Sequence, residues 1–266
     1  MKDFGYIVAE DLNKIEAKIS NLVTNESDVF NDLELFISEK SKRIRSIFSL
    51  LYLKLNNTEI NDKLINLLSA GELIHNASLL HDDVIDDADL RRGSITLSNK
   101  YNSKIAILSG DYLLSFAVEC LAQLDNKDIL NIFINTTKLM SEAEISQYFL
   151  RNKEVTFEEY LKIIYGKTAS LFEGILSSAS ILSGIDVNCA KEFGKNFGLL
   201  FQINNDMNHY SKENDEKNGI KTVIDILGIE KTNVLKDNYK QKMREDLNKY
   251  SDSQYRRGLE DLINLL

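Results

Sequence analysis

Residues 81–93 read His-Asp-Asp-Val-Ile-Asp-Asp-Ala-Asp-Leu-Arg-Arg-Gly. Five carboxylates fall within eight residues, and Arg91 and Arg92 follow at once. On a helix, Asp82 and Asp86 stand four apart on one face, and Asp83 and Asp87 repeat the relation one step round. Like charges at that spacing repel, and carboxylates near a helix C-terminus also oppose its dipole. A hard divalent cation relieves the repulsion, and magnesium usually takes one or two carboxylates together with substrate phosphates. Arg91 and Arg92 add fixed positive charge and forked donors suited to phosphate oxygens. Aspartates, metal and arginines together read as a clamp for a diphosphate. An acidic run can also be no more than a solvated helix end. Here the apolar lead-in of Ala77, Leu79 and Leu80 argues that the acids face a cavity.

Helical periodicity runs through the segments that must position these groups. Residues 8–24 form an amphipathic opener, with Val8, Leu12, Ile15, Ile19 and Leu22 on one side. Residues 43–55 and 64–87 are more evenly apolar, as central helices are. The pattern continues over 103–124, 128–150, 157–183, 188–210 and 222–227, and 233–266 is polar and amphipathic. Breaks are expected near Asn56–Asn57, Arg92–Ser94, Asp125–Lys127, Gly184–Asp186 and Lys212–Gly219, the last containing the turn signal Asn-Gly. No Gly- or Ser-rich linker and no fixed-period repeat appears, so residues 1–266 are expected to form one all-α domain.

Composition narrows the function. The 266 residues include no proline, 12 glycines and 43% apolar residues, enough for a sizeable helical core. A formal charge of −9 and a pI near 5.0 argue against nucleic acid, which needs a basic face, and give no support for an electrostatic membrane anchor. Cys120 and Cys189 are isolated in apolar helical contexts and are expected to be buried thiols in a reducing compartment. The N-terminus lacks a signal-type apolar region and no apolar run reaches about 18 residues. A cytoplasmic protein without a transmembrane segment is the expectation.

Several ordered segments resemble the trans-isoprenyl diphosphate synthases, the head-to-tail prenyltransferases. Glu72-Leu-Ile-His75 through Asp82-Asp83-Val-Ile-Asp86 to Arg91-Arg92-Gly93 is similar to the first aspartate-rich motif of that family. Gly110-Asp111-Tyr112-Leu113, Glu144-Ile-Ser-Gln147 and Gly166-Lys167-Thr168 resemble further signatures, and Phe201-Gln202 opens a second aspartate-rich region. The resemblance implies the isoprenoid synthase fold, helices around a deep central cavity, as a homodimer. It implies condensation of isopentenyl diphosphate with an allylic diphosphate such as farnesyl or geranylgeranyl diphosphate, with magnesium as cofactor and manganese as its substitute. Matched residue by residue, Asp82, Asp83, Asp86 and Asp206 would serve the metal, and Arg91 the allylic diphosphate. Lys42, Arg45, His75 and Arg92 would hold isopentenyl diphosphate, and Lys167, Thr168 and Gln202 would stand near the carbocation. Seen alone, Lys42, Arg43 and Arg45 are equally an ordinary basic helix start, and His75 a core histidine.

The second region departs from the family pattern. Where that pattern has aspartates, this chain has Asn205 and His209, and an amide oxygen holds a hard cation less well than a carboxylate. Lys40, Ser41 and Ser46 replace the glycines and proline usual before the first helix of the motif set. The region after Thr222 is about thirty residues shorter than is usual in such enzymes, so one late helix is expected to be missing. Two alternatives therefore stand beside an active synthase: a non-catalytic subunit of a heteromeric synthase, and a class I terpene cyclase. Asn205-Asp206-x-x-His209-x-x-Lys212-Glu213 resembles the cyclases' metal triad, whereas the isopentenyl-binding set favours a two-substrate condensation. In this family, bulky aromatics four and five residues before the first aspartate shorten the product. Here those positions are Ser78 and Ala77, with Leu113 and Phe116 as a deeper floor, which predicts a product of C20 or longer.

Overall fold

The computed structural model describes residues 4–23, 27–38, 42–209 and 219–266, with the side chains of Phe4 and His209 outside that set. It is all-helical apart from one two-stranded hairpin among the described residues. The chain divides into two compact units, Met1–Leu50 with Glu59–Lys127, and Leu51–Thr58 with Asp128–Leu266. The expected loop at Lys212–Gly219 lies, up to residue 218, outside the described residues, as do Lys40, Ser41 and the cyclase-like Lys212-Glu213.

The first unit is built on α4 (Asp62–Ile85), which buries Leu64, Leu67, Leu68, Ala70, Leu73, Ala77 and Leu80 on all sides. Asn61 caps it, its side chain accepting from the Leu64 N–H at 3.1 Å. Its C-terminal end falls inside the acidic run. The Ala88 N–H reaches back to Asp83 O (2.9 Å) and the Asp87 N–H to Val84 O (3.4 Å), with Asp87 at φ 47°. This pairing is a Schellman stop with aspartate where glycine is usual. Strands β1 (Leu90–Arg91) and β2 (Ser94–Ile95) follow as a hairpin pairing Leu90 with Ile95 and Arg91 with Ser94. Arg92 and Gly93 between them lie at φ 54° and 85°, the positive pair that a two-residue type I′ turn demands.

Against α4 stand α1 (Ala9–Val23), the first part of α3 (Ile44–Leu55), α5 (Leu97–Lys100) and α6 (Ser103–Ala122), with α2 (Asp28–Ser38) packed on α1. Helix α6 packs along α4. Asp32 on α2 ties down the end of α5, accepting from Lys100 Nζ and Tyr101 Oη at 2.6 Å each. The two donors, Lys100 first, hold the Asp32 carboxyl below its ordinary range.

The second unit contains the end of α3 with α7 (Lys127–Leu150), α8 (Phe157–Ile164), a π-turn (Tyr165–Ala169), α9 (Ser170–Ser183), α10 (Val187–His209), α11 (Val223–Leu227), α12 (Ile229–Leu247) and α13 (Gln254–Leu265). The rings of Phe172, Phe197 and Phe201 meet at 5.2–6.4 Å between α9 and α10. At Gly198 a Cβ would stand 2.4 Å from Ala169 Cα, so only glycine lets α10 lie this close to the π-turn. Arg244 and Lys240 on α12 bond the side chain and carbonyl of Asn264, at the C-terminal end of α13 where cations are favoured.

Four expectations need correction. The continuous helix over 157–183 is interrupted by the π-turn, in which Ser170 N bonds back to Tyr165 O. The helix over 233–266 is two, separated at Asn248–Ser253. Residues 28–38, outside the helical segments expected from periodicity, form α2 behind Ser27, whose carbonyl accepts from the Phe30 and Asn31 N–H groups at 3.0 and 3.1 Å. Cys189 is exposed in the first turn of α10, whereas Cys120 is buried; neither forms a disulfide. By length and composition α6 also matches the size of a membrane span, although Lys104, Asp111 and Glu119 interrupt its apolar run.

Candidate functional site

Asp82 and Asp86 sit half-buried on the last turn of α4, one turn apart. Asp83, between them in sequence, faces inward and is only 1% exposed. Its Oδ1 accepts from Arg91 Nε across the turn. Burial pushes the Asp83 carboxyl above its ordinary range, and the Arg91 guanidinium opposes that shift. Asp83 therefore ties the hairpin to α4, while Asp82 and Asp86 are left as the i, i+4 pair at the surface of the turn.

The start of α3 belongs to the same unit. Arg45 is buried there, its guanidinium lowered to about 10 by desolvation, with Glu72 opposing and Arg92 reinforcing the shift. Lys42 is exposed, two residues before the helix begins. His75 on α4 is half-buried and held well below the ordinary imidazole range. Burial is the first cause, followed by Arg45, Arg92, Arg91 and Arg43. A neutral imidazole thus lies within the field of four guanidiniums. Such a concentration of positive charge, buried at Arg43 and Arg45 and open to solvent at Arg92, is what a polyanion stabilises. The structure thereby brings Arg45, His75, Arg91 and Arg92 into one cation-rich region beside the acidic turn.

The second unit holds the other predicted residues. Lys167 lies in the π-turn, where Nζ donates to Gln147 Oε1 at 2.6 Å and pairs with Glu144. Thr168 Oγ1 donates to Gln202 Oε1 at 2.9 Å, and Gln202 Nε2 donates to Asp206 Oδ1 at 2.8 Å. Asp206 Oδ2 accepts from Tyr160 Oη at 2.7 Å and from the Val223 N–H at 3.4 Å. One chain of hydrogen bonds therefore runs from the π-turn through α10 to α8 and the start of α11. Tyr160 is nearly fully buried, and burial, reinforced by Asp206, drives its phenol far up in pKa.

Two residues of this arrangement carry roles that the sequence did not suggest. Glu72 is the single acid in the apolar stretch 64–80, which is a signal in itself, because acids are seldom fully buried unless paired. Tyr160 carries no such mark and reads as an ordinary core aromatic.

Asp82 and Asp86 fit a hard divalent cation: both are oxygen donors on one helix face in the last turn. The second region fits less well. Both oxygens of Asp206 already accept hydrogen bonds from the protein, Asn205 is neutral, and the His209 side chain lies outside the described residues. Among the described residues no three His, Cys, Asp or Glu side chains converge as a metal cluster. A cation on α4 would therefore complete its shell with phosphate and water oxygens, as magnesium commonly does.

Residues 29–257 match the family model described as polyprenyl synthetase. Decaprenyl-diphosphate synthase of Dictyostelium discoideum is 40% identical over 200 residues, 74% of this chain and 43% of that protein. Octaprenyl diphosphate synthase of Escherichia coli is 28% identical over 221 residues, 81% of this chain and 68% of that one. The chain thus spans less than half of the first relative and about two thirds of the second. A solved polyprenyl synthase from Caulobacter crescentus, complexed with calcium and isoprenyl diphosphate, shares the fold at a TM-score of 0.90 and 23% identity, covering 98% of this chain and 95% of the other. Since the family match takes in the acidic turn, the arginine hairpin and the whole Lys167–Asp206 network, the chain belongs to the polyprenyl synthetase family of trans-isoprenyl diphosphate synthases.

Proposed function

We propose that this chain is a trans-prenyltransferase that condenses isopentenyl diphosphate head-to-tail with an allylic diphosphate, giving a polyprenyl diphosphate of C20 or longer. The observation that carries the reading is the acidic turn of α4 set beside a neutral His75 within the field of four arginines. The printed functions of the relatives, decaprenyl and octaprenyl diphosphate synthesis, support it. The small side chains of Ala77 and Ser78 on α4, where bulky aromatics would shorten the product, support the longer one. The family match through both compact units supports residues 1–266 acting as one domain. Exposed Ile107, Leu108 and Val118 on α6, and Ile134, Ile145 and Phe149 on α7, support a homodimer.

Asp82 and Asp86 would hold the magnesium ion, or manganese in its place, and the bound cation would draw off charge that builds on a departing diphosphate. Asp83 fixes Arg91 through Nε, and the guanidinium has two further amino groups with which to grip the allylic diphosphate. Arg45, Arg92, Lys42 and neutral His75 receive the isopentenyl diphosphate, with His75 serving as a hydrogen-bond partner and not as a cation. Lys167, pinned by Glu144 and Gln147, and the oxygen dipoles of Thr168 and Gln202 stabilise positive charge on the allylic carbon. The isopentenyl double bond forms the new C–C bond as the allylic C–O bond breaks, and the released pyrophosphate takes the proton.

The test is incubation of purified protein with Mg²⁺, isopentenyl diphosphate and farnesyl diphosphate, with the product chromatographed. Elongated prenyl diphosphate of C20 or more is expected, and Asp82→Ala should abolish it. Product that persists unchanged in Asp82→Ala overturns the assignment of the acidic turn. One observation favours a second reading, a non-catalytic subunit: the single carboxylate of residues 201–209 is engaged inside the protein. That reading predicts no turnover alone and activity restored by a catalytic partner chain.

A further inference from the structure

The cation-rich start of α3 has no cap of its own. Arg43 stands at the N-cap position, its carbonyl accepting from the Ile47 N–H at 2.9 Å, yet it offers no side-chain acceptor and lies at φ 46°. An N-cap residue normally satisfies one of the free N–H groups of the first turn with its own oxygen. Here that task falls to a residue of another helix. Glu72 of α4, 2% exposed, accepts through Oε1 from the Ser46 N–H at 3.1 Å and from Ser46 Oγ at 2.7 Å. Its Oε2 faces Arg43 Nη1 at 3.5 Å. A carboxylate at a helix N-terminus also meets the positive end of the dipole.

Glu72 stands one turn before His75 on the same helix, so one side chain connects α4 to the turn that carries Arg43 and Arg45. The left-handed φ of Arg43 costs about 1–3 kcal/mol and persists only where the surroundings impose it. Glu72 restrains this turn by holding both Arg43 and the third residue of α3, and Glu16 of α1 faces the same guanidinium at 3.6 Å. Ser46, which departs from the family pattern, supplies the second of the two bonds to Oε1.

We propose that Glu72 is a positioning residue: anchored on Ser46 and Arg43, it sets the first turn of α3 so that Arg45 stands against His75 and Arg92 as one diphosphate-binding cluster. This rests on the prenyltransferase reading for the identity of the ligand, but not for the existence of the cluster.

Two measurements separate the two claims. Calorimetric binding of inorganic pyrophosphate reports on the cluster whether or not the protein turns over. Steady-state kinetics with isopentenyl and farnesyl diphosphate report on the reaction. Glu72→Gln should weaken pyrophosphate binding and raise KM for isopentenyl diphosphate about tenfold or more, while kcat and the KM for farnesyl diphosphate stay within about twofold. Ser46→Ala, which keeps the carboxylate and removes one bond, should show a smaller change in the same direction, and it carries the test if Glu72→Gln fails to fold. Wild type without turnover, but with pyrophosphate binding that these changes weaken, would sink the enzymatic reading and keep the positioning role. Unchanged binding in Ser46→Ala and Glu72→Gln overturns the positioning role. So does a KM that rises equally for both substrates, or a wild type that binds no pyrophosphate.

Discussion

At the scale of single residues, charge state and backbone strain decide what the cation cluster can do. His75 is kept neutral by burial and by four guanidiniums, so its folded pKa lies below the value of 6.5 that it has when exposed. Below about pH 6.5 the unfolded chain binds a proton that folded His75 refuses, and stability therefore falls as pH drops through that range. Urea unfolding at about pH 5.5 and about pH 7.5 should show the loss, and His75→Gln should reduce it. An acid limb of the same depth in the variant would mean that His75 is not its source. Arg92 presents a different conflict. Its φ of 54° suits asparagine or glycine far better than a long side chain. Arg92→Asn should relieve about 1 kcal/mol of strain and raise the melting temperature, yet raise KM for isopentenyl diphosphate. A melting temperature that rises without any change in KM would leave Arg92 outside the binding set.

At the scale of elements, the π-turn and the hairpin do the placing. A helix from 157 to 183 without interruption would leave Lys167 and Thr168 on faces fixed by the phase of α8. One i→i+5 turn inserts an extra residue and rotates everything after Tyr165, which is a frequent device at functional sites. That turn is held from the far side by α10, whose Gly198 lies against Ala169. Gly198→Ala puts a methyl group 2.4 Å from a backbone atom that cannot swing away. We expect a cost of about 1–3 kcal/mol in thermal unfolding, and a loss of kcat as the Thr168–Gln202 bond is stretched. A variant with wild-type melting and wild-type kcat would show that the contact is not needed for either.

At the scale of the molecule, the two compact units divide the chemistry. The first carries the acidic turn and the arginine cluster, and the second carries the Lys167–Gln202–Asp206 network. The second unit is not one continuous stretch, since it includes Leu51–Thr58. Leu51, Tyr52, Leu53 and Leu55 there are buried, and Tyr52 packs on Phe193 with ring centres 5.2 Å apart. Residues 128–266 expressed alone would lose that packing and expose the surface it covers. Truncating even one buried large side chain costs roughly 2–5 kcal/mol, which approaches the whole stability of a domain. We therefore expect no cooperative melting transition for 128–266 by calorimetry. A sharp transition would show that 51–58 is dispensable to that unit.

The sequence by itself determined the helical class, most helix positions, the acidic turn and the set of cationic residues. Those follow from apolar periodicity and from side-chain chemistry, both of which are local. Arg92-Gly93 marks a break but not a hairpin, because arginine is a poor signal for the positive φ that the turn requires. Only the tertiary structure decided that Asp83 serves Arg91, that Glu72 caps a helix 26 residues away, and that Asp206 is bound to Tyr160 and Gln202. These are pairings across large sequence separations between side chains whose types admit many partners. Periodicity shows that Glu72 and Tyr160 lie on buried faces, but a buried carboxylate or phenol is satisfied by whatever the packing brings to it. The same holds for the π-turn, which packs against α10 at Gly198 and leaves no mark in the hydrophobic pattern.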